Sequence, residues 1–411
     1  MVDCWLPYGN TEVYVSVDMD NLIEILDPCT DQEPKQVDEE IARALDAPSG
    51  AATLDEQVKP DCMVAVAVDG SMTPNLASQA VSSIVKRLVE LIVPRDRITV
   101  VVGNGERESE STPLTRAIRD AEGLSQVRLV NHTKALTNLG EAGKTGGGTT
   151  VKVNRGYLEA TLKIAVGETR LDIHSGFTGA QNAILPGIAS LQTIQEARKN
   201  YFKGGATPGV IELNPVKEET VAAAKLAGVD YALNIAVDPD GGYLGAYAGG
   251  VEESWGKAVT RLGGSYEVEA EDNSDITVIS AGGDRFDYSL YKTAWALETA
   301  AGVTKRNGVI ILLGECGDGL GAESFTSLAR VMDLHEFERR YTYGADGLHL
   351  IRKVTRSNRV ILVSALPKYL VEPLGMETAR TNNEAYQLAL GGRRGRGTYV
   401  IPYGCTTKIA Q

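Results

Sequence analysis

The chain has 411 residues, of which 43% are hydrophobic, which is enough for two or three folded domains with substantial cores. The net charge of −13 disfavours binding to nucleic acid, and no apolar run reaches the length of a membrane helix. We expect a cytoplasmic protein without a disulfide framework or cysteine zinc site, because no signal peptide is visible and the five cysteines form no C-x-x-C pair.

Apolar strands alternate with amphipathic helices along most of the chain, which predicts a doubly wound α/β fold with mostly parallel sheets. In chain order, the predicted strands are 63–69, 98–103, 127–132, 150–154, 162–167, 276–280, 309–315, 359–365 and 398–402. Helices are predicted at 77–91, 112–122 and 289–304. Many β-branched residues without strict alternation indicate strands that are buried on both faces.

The acidic, turn-prone segment 269–274 predicts the main domain boundary. We therefore expect an N-terminal α/β domain at 1–270 and a C-terminal Rossmann-like α/β domain at 271–411, with the last strand a candidate to return to the first domain. Ligands bind at the carboxyl ends of strands in open α/β sheets. This rule selects five loops that are rich in glycine and polar residues: 69–74, 103–107, 167–182, 281–287 and 315–321.

Motifs in these loops resemble the lactate racemase family. GFTGAQNAILPGIASLQTI at 176–194 is similar to the family's GFSGGxKxxLPGxAxxxTI, and SAGGDRFDYSLYKTAWAL resembles SAGGxPxDxNLYQAxKAL. GECGDGLGAESF at 314–325 resembles AECxxGxGxxxF, and the resemblance covers nearly the whole chain. It implies two α/β domains with the active site in the cleft between them, and a racemase that uses a nickel pincer nucleotide to move a hydride at C2 of a 2-hydroxy acid.

The residues at the family's catalytic positions differ in this chain. Asn182 stands where the family has the lysine that holds the cofactor, and Arg198 stands at about the position of the nickel-binding histidine. Glu106 and Asp172 stand where the family has two acid/base histidines. Because the surrounding scaffold motifs persist, we infer that the pocket has been rebuilt for different chemistry.

Glu106 and Asp172 are the predicted catalytic pair. Two carboxylates can act as acid and base, or they can bind a divalent cation such as Mg²⁺ or Mn²⁺ through oxygen. The alternative is a simple ion pair with Arg107 or Arg170. His174 is a third catalytic candidate if the segment is extended, because it would then point the same way as Asp172; its alternative is packing against the loop.

Further residues are predicted to bind the substrate or the cofactor. Arg107 and Lys292 are candidates for gripping a carboxylate, and Lys292 lies early in a predicted helix, where the helix dipole also favours anions. Asp69 belongs to the first of the five loops, and Trp295 lines the pocket or belongs to the core. The predicted cofactor contacts are Gly176, Gly179, Asn182 and Arg198.

Three functions remain open from the sequence. The preferred one is an enzyme of the lactate racemase superfamily that racemises, epimerises or dehydrates a small 2-hydroxy acid or sugar acid with carboxylates as acid and base. The second is a nickel pincer racemase whose cofactor is bound non-covalently, and the third is a non-catalytic protein that binds a small carboxylate. The expected partner is a small carboxylate rather than nucleic acid or membrane, and homo-oligomerisation is left open.

The basic cluster Arg393, Arg394 and Arg396 is interpreted as a surface loop, with a phosphate or RNA contact as the alternative.

Overall fold

The computed structural model describes residues 1–28, 36–107, 112–133, 135–392 and 395–410. Cys29 and two arginines of the basic cluster, Arg393 and Arg394, lie outside the described residues. The chain divides into two compact units. Unit 1 consists of Met1–Thr30 and Gly264–Gln411, and unit 2 consists of Asp31–Gly263.

The strands of the described residues are β1 (Val2–Tyr8), β2 (Thr11–Val17), β3 (Leu22–Ile25), β4 (Val64–Asp69), β5 (Ile98–Asn104), β6 (Arg128–Thr133), β7 (Leu139–Lys144), β8 (Thr150–Asn154), β9 (Leu162–Thr169), β10 (Leu171–Asp172), β11 (Gly176–Phe177), β12 (Tyr231–Val237), β13 (Tyr243–Gly249), β14 (Glu267–Val268), β15 (Ser274–Ser280), β16 (Thr304–Leu313), β17 (Arg359–Val363), β18 (Glu377–Ala379), β19 (Thr398–Ile401) and β20 (Lys408–Ile409).

The α-helices of the described residues are α1 (Val37–Asp46), α2 (Leu54–Gln57), α3 (Pro74–Glu90), α4 (Thr112–Asp120), α5 (Arg155–Leu158), α6 (Leu191–Arg198), α7 (Pro215–Leu226), α8 (Val251–Leu262), α9 (Asp284–Asp287), α10 (Leu290–Thr293), α11 (Ala296–Val303), α12 (Ser324–Ser327), α13 (Leu334–Arg339), α14 (Ala345–Thr355), α15 (Lys368–Val371) and α16 (Asn382–Leu390). None of them is long and apolar enough to cross a membrane.

Unit 2 is built on a six-stranded sheet with the order β13-β12-β9-β4-β5-β6. Its strands are parallel except β13, which runs antiparallel to β12. The six residues of β4 are all buried, as the continuous apolar run predicts for a strand covered on both faces. The predicted strands at 63–69, 98–103, 127–132 and 162–167 are confirmed in this sheet.

The strand predicted at 150–154 is confirmed, but it is not part of the parallel sheet. It is β8, and it pairs antiparallel with β7 as a two-stranded hairpin. Its β-branched residues indicated a strand, but they carried no information about which strand would be its partner.

Unit 1 is built on a second six-stranded sheet, with the order β18-β17-β16-β15-β19-β3 and all strands parallel. Strand β19 lies between β15 and β3, so the last long strand stays in this sheet. The division of the chain differs from the predicted domains in two respects, the first being that unit 2 ends at Gly263 rather than at residue 270. The second is that the first 30 residues are grouped with the C-terminal part because β3 extends its sheet.

The continuous helix predicted at 289–304 is wrong. The segment forms α10 and α11, separated by Ala294 and Trp295. The N–H groups of Trp295, Leu297 and Glu298 donate to carbonyls three residues earlier rather than four. This tighter 3₁₀-type bonding interrupts the α-helix while the apolar periodicity continues.

Candidate functional site

Strand β5 ends in a glycine-rich turn that carries Glu106. A Cβ atom on Gly103 would lie 2.7 Å from the Cα of Gly187, and one on Gly105 would lie 2.2 Å from the carbonyl oxygen of Pro186. The N–H of Gly105 donates to the carbonyl of Gly187 over 2.8 Å. The glycines thus allow the turn to lie directly against segment 186–187, and this contact holds Glu106 at the carboxyl end of the sheet.

Glu106 forms a buried ion pair with Arg198. Helix α6 begins at the cap Ser190, whose hydroxyl accepts from the N–H of Thr193, and it ends at Arg198. The Nη2 of Arg198 donates to Oε1 of Glu106 over 3.1 Å, and the two side chains are 8% and 10% exposed. The sequence suggested Arg107 as a partner for Glu106; the structure pairs it with an arginine that is 92 residues away along the chain.

Asp172 is held by the turn that follows it. Its Oδ2 accepts hydrogen bonds from the N–H of His174 (3.2 Å) and from the N–H and hydroxyl of Ser175 (both 2.7 Å). The segment after Asp172 is a turn that leads into β11, so the condition under which Asp172 and His174 would share a face by strand alternation is not met. Ser175 was not predicted as a site residue, although an aspartate followed by turn residues is typical of such side-chain-to-backbone bonding.

One pocket brings four of the nine predicted site residues of unit 2 together. It has room for about one water molecule, about 10 Å³. The predicted site residues that line it are Asp172, His174, Asn182 and Arg198. Glu106 reaches the group through its bond to Arg198.

His174 both packs and lines this pocket. Its side chain is buried, and its ring meets the ring of Tyr201 edge to face with the centroids 5.8 Å apart. The two interpretations of His174 are therefore compatible. The turn after Asp172, rather than strand alternation, brings the imidazole and the carboxylate to the same pocket.

The residues at the family's cofactor positions do not fit a covalently held nickel pincer. Asn182 carries a carboxamide, and its Oδ1 accepts from the N–H of Gly179 over 3.0 Å. An amide has no nucleophilic amine, and the guanidinium of Arg198 has no lone pair to offer a metal. Among the described residues, no group of three or more histidine, cysteine, aspartate or glutamate side chains is arranged to hold a metal ion.

Two predicted cofactor glycines are required by packing inside unit 2. Gly176 has a φ of +78°, and a Cβ there would lie 2.2 Å from the carbonyl oxygen of Val210. A Cβ on Gly179 would lie 2.4 Å from the indole of Trp255. Their presence in the family motif is thus explained by the fold, and a contact with a cofactor stays a prediction.

Asp69 belongs to a separate buried network at the same edge of the sheet. Its Oδ1 accepts from the N–H and the hydroxyl of Ser71, over 3.0 and 2.8 Å, and burial raises the pKa of its carboxyl. Arg170 donates to the same hydroxyl over 2.8 Å and pairs with Glu168 over 3.3 Å. Arg170 was suggested as a partner of Asp172; the structure pairs it with Glu168.

The predicted residues of unit 1 lie in the segment that follows β15. Trp295 is buried and packs edge to face on Tyr291 with ring centroids 5.7 Å apart, which favours its interpretation as core. Lys292 is half-buried, but α10 has only 4 residues, so the predicted support from a long helix dipole is wrong. Asp287 ties its loop in place by accepting from the N–H groups of Gly9 and Glu315.

Comparisons with known proteins match both parts of the chain. Residues 8–207 match the model of the lactate racemase N-terminal domain, and residues 269–407 match that of the lactate racemase C-terminal domain. A lactate racemase of Lactiplantibacillus plantarum is 26% identical over 98% of this chain and 99% of its own length. A lactate racemase of Thermoanaerobacterium thermosaccharolyticum is 32% identical over 48% of this chain and 46% of its own length.

Solved structures agree on the fold. The lactate racemase apoprotein from Thermoanaerobacterium thermosaccharolyticum superimposes with a TM-score of 0.82 at 22% identity, over 100% of both chains. A protein from Thermotoga maritima gives a TM-score of 0.69 at 13% identity, over 91% of this chain and 98% of its own. At these identities the likeness is one of fold, and it matches the α/β architecture described above.

Proposed function

Because the chain belongs to the lactate racemase family, we propose that it is an isomerase that inverts the configuration at C2 of a small 2-hydroxy acid or sugar acid. Carboxylates take the acid and base roles that the family gives to histidines. The observation that carries this proposal is the pocket of unit 2, where Asp172, His174 and Arg198 lie together and Glu106 is bound to Arg198.

The proposed reaction is a proton transfer at carbon. One carboxylate removes the proton from C2, and the electron pair of the C–H bond moves into the substrate carboxylate to give an enediolate. A protonated group then returns a proton to the opposite face of C2. The second carboxylate, or His174 in the same pocket, is the candidate donor. Where C3 carries a hydroxyl, its departure from the same intermediate would give dehydration instead.

Hydrogen exchange at C2 tests the proposal. The protein is incubated in D₂O with lactate, glycerate or gluconate, each with Mg²⁺ or Mn²⁺ supplied, and the C2 hydrogen is followed by NMR. We expect exchange with at least one acid, and Asp172→Asn should slow it roughly 10²–10⁴-fold, the usual contribution of a general base. As a control, Asp61→Asn should leave the rate unchanged, because this carboxylate is 86% exposed and pairs with Arg97. An absence of exchange with every acid contradicts the proposal.

Metal analysis separates this proposal from the other two functions. Protein co-produced with the enzymes that make the nickel pincer should show no covalent adduct in its intact mass, because Asn182 has no amine. Stoichiometric nickel would instead favour a racemase with a non-covalently bound pincer. Tight binding of a carboxylate without exchange or nickel would favour a non-catalytic binding protein.

A further inference from the structure

We propose that Arg198 is the anchor for the substrate carboxylate, and that the carboxylate of Glu106 occupies this anchor until a substrate replaces it. The inference rests on the proposed function, because it assigns a ligand of the same pocket. It begins from the ion pair itself, in which Nη2 of Arg198 and Oε1 of Glu106 are 3.1 Å apart. Both side chains are buried, at 8% and 10% exposure, so the pair is shielded from solvent screening.

The pocket beside this pair is too small for a substrate as it stands. Its volume of about 10 Å³ holds about one water molecule, and lactate is several times larger. Arg198 lines this pocket together with polar residues and with apolar side chains such as Leu185 and Ile194. Glu106 is not among the lining residues; it binds the guanidinium of Arg198 from the turn beyond the end of β5. A substrate carboxylate that binds Nη2 of Arg198 must therefore replace Glu106.

Exchange of one carboxylate for another is the movement that keeps the guanidinium of Arg198 paired. Removing one partner of a buried ion pair is strongly unfavourable because it leaves the other charge buried alone. A substrate carboxylate that takes the place of Glu106 keeps the guanidinium of Arg198 neutralised. The planar guanidinium also matches the geometry of a carboxylate, so it can accept either one.

Carboxylate binding by the Glu106→Gln variant tests the inference. Titration calorimetry with acetate and lactate, and with acetamide as a neutral match for acetate, measures affinity without any need for turnover. We expect Glu106→Gln to bind both carboxylates about tenfold tighter or more, the scale on which one close charge pair alters binding, with no gain for acetamide. We also expect Arg198→Gln to lose carboxylate binding.

A matched control is Glu219→Gln, a buried glutamate that accepts from the hydroxyl of Thr145 and should not alter the affinity for acetate. Unchanged or weaker carboxylate binding by Glu106→Gln overturns the inference. If the wild-type protein exchanges the C2 hydrogen of lactate but this variant binds no tighter, the inference fails and the proposed function stands. If acetate binding tightens but no acid is exchanged, the anchor is supported and the proposed function fails.

Circular dichroism of both variants identifies any loss of fold, and if Glu106→Gln is misfolded, Glu106→Ala takes its place in the same titration.

Discussion

Glu106 and Asp172 are held by opposite kinds of partner, although both stand at the family's acid/base positions. Glu106 is bound by a guanidinium that comes from the end of a helix 92 residues further along the chain. Asp172 is bound by N–H groups and a hydroxyl of the two residues at positions 174 and 175. Glu106 is therefore stabilised by a charge from a residue far away in the sequence. Asp172 is stabilised by hydrogen bonds from the turn that directly follows it.

This difference shows which of the two carboxylates depends on residues that are distant in the sequence. The position of Glu106 depends on α6, which carries Arg198, and on the contact of Gly105 with Gly187. Asp172 depends on local backbone geometry, which forms as soon as its turn does. We therefore expect Glu106 to be the adjustable carboxylate of the pocket and Asp172 the constant one.

The largest effect should come from Arg198→Met, which removes the charged partner of Glu106 from a buried ion pair. Losing one partner of a buried pair costs about 3–5 kcal/mol, so the free energy of unfolding, measured with urea, should fall by that order. The double variant Glu106→Gln/Arg198→Met should recover most of the loss, because no charge is then left buried. A loss below about 1 kcal/mol, typical of exposed pairs, would contradict the description of this pair as buried and strong.

A smaller effect is expected from Asp172→Asn, because the amide oxygen can still accept hydrogen bonds from the turn. The turn then donates to a neutral rather than a charged oxygen, which weakens these bonds, so unfolding by urea should show a loss on the order of 1 kcal/mol. Asp172→Ala should cost more, since it leaves the N–H groups of the turn without their acceptor. Equal losses for the two variants would mean that the turn does not need an acceptor at position 172.

Asp238 adds a third case, a carboxylate that faces another carboxylate. Burial, followed by its neighbour Asp240, raises the pKa of Asp238 to about 7, although the N–H groups of Gly241 and Gly242 donate to it. Since the folded state keeps this proton up to about pH 7 and the unfolded state releases it near pH 4, stability is lost as the pH rises through this window. Asp238→Asn should remove this decline. Of the three substitutions, it should have the smallest effect on stability at low pH. Thermal melts at pH 4, 5.5 and 8 measure it, and parallel curves for variant and wild type would contradict it.

Much of the sheet architecture could be predicted because it depends on local pattern. Strands buried on both faces, such as β4 and β9, are recognisable in the sequence as apolar runs followed by glycine or polar residues. The interruption of the helix at Trp295 was not visible, because a 3₁₀ stretch and an α-helix share nearly the same apolar spacing. The pairing of β8 with β7 was missed for a related reason, since β-branched residues favour a strand but do not specify its neighbour.

The candidate site could be predicted as a set of loops but not as a set of contacts. The rule that ligands lie at the carboxyl ends of strands selected the segments that carry Glu106 and Asp172. It could not pair Glu106 with Arg198, because the sequence offered Arg107 next to Glu106 and nothing in the spacing favoured an arginine at the end of a helix. Ser175 was also missed, because its role depends on the turn that Asp172 adopts.

Unit 2 is inserted between two separate segments of unit 1, and this arrangement sets an order for folding during synthesis. The ribosome completes Asp31–Gly263 before it has made most of the strands of the other sheet. Unit 2 can therefore fold as the chain emerges, as domains made first generally do. Strand β3 must wait for β19, almost the last strand to be made, so the N-terminal segment stays without its partner strand until translation is nearly complete. A chain truncated before β19 should therefore leave unit 2 intact and β3 without its partner strand.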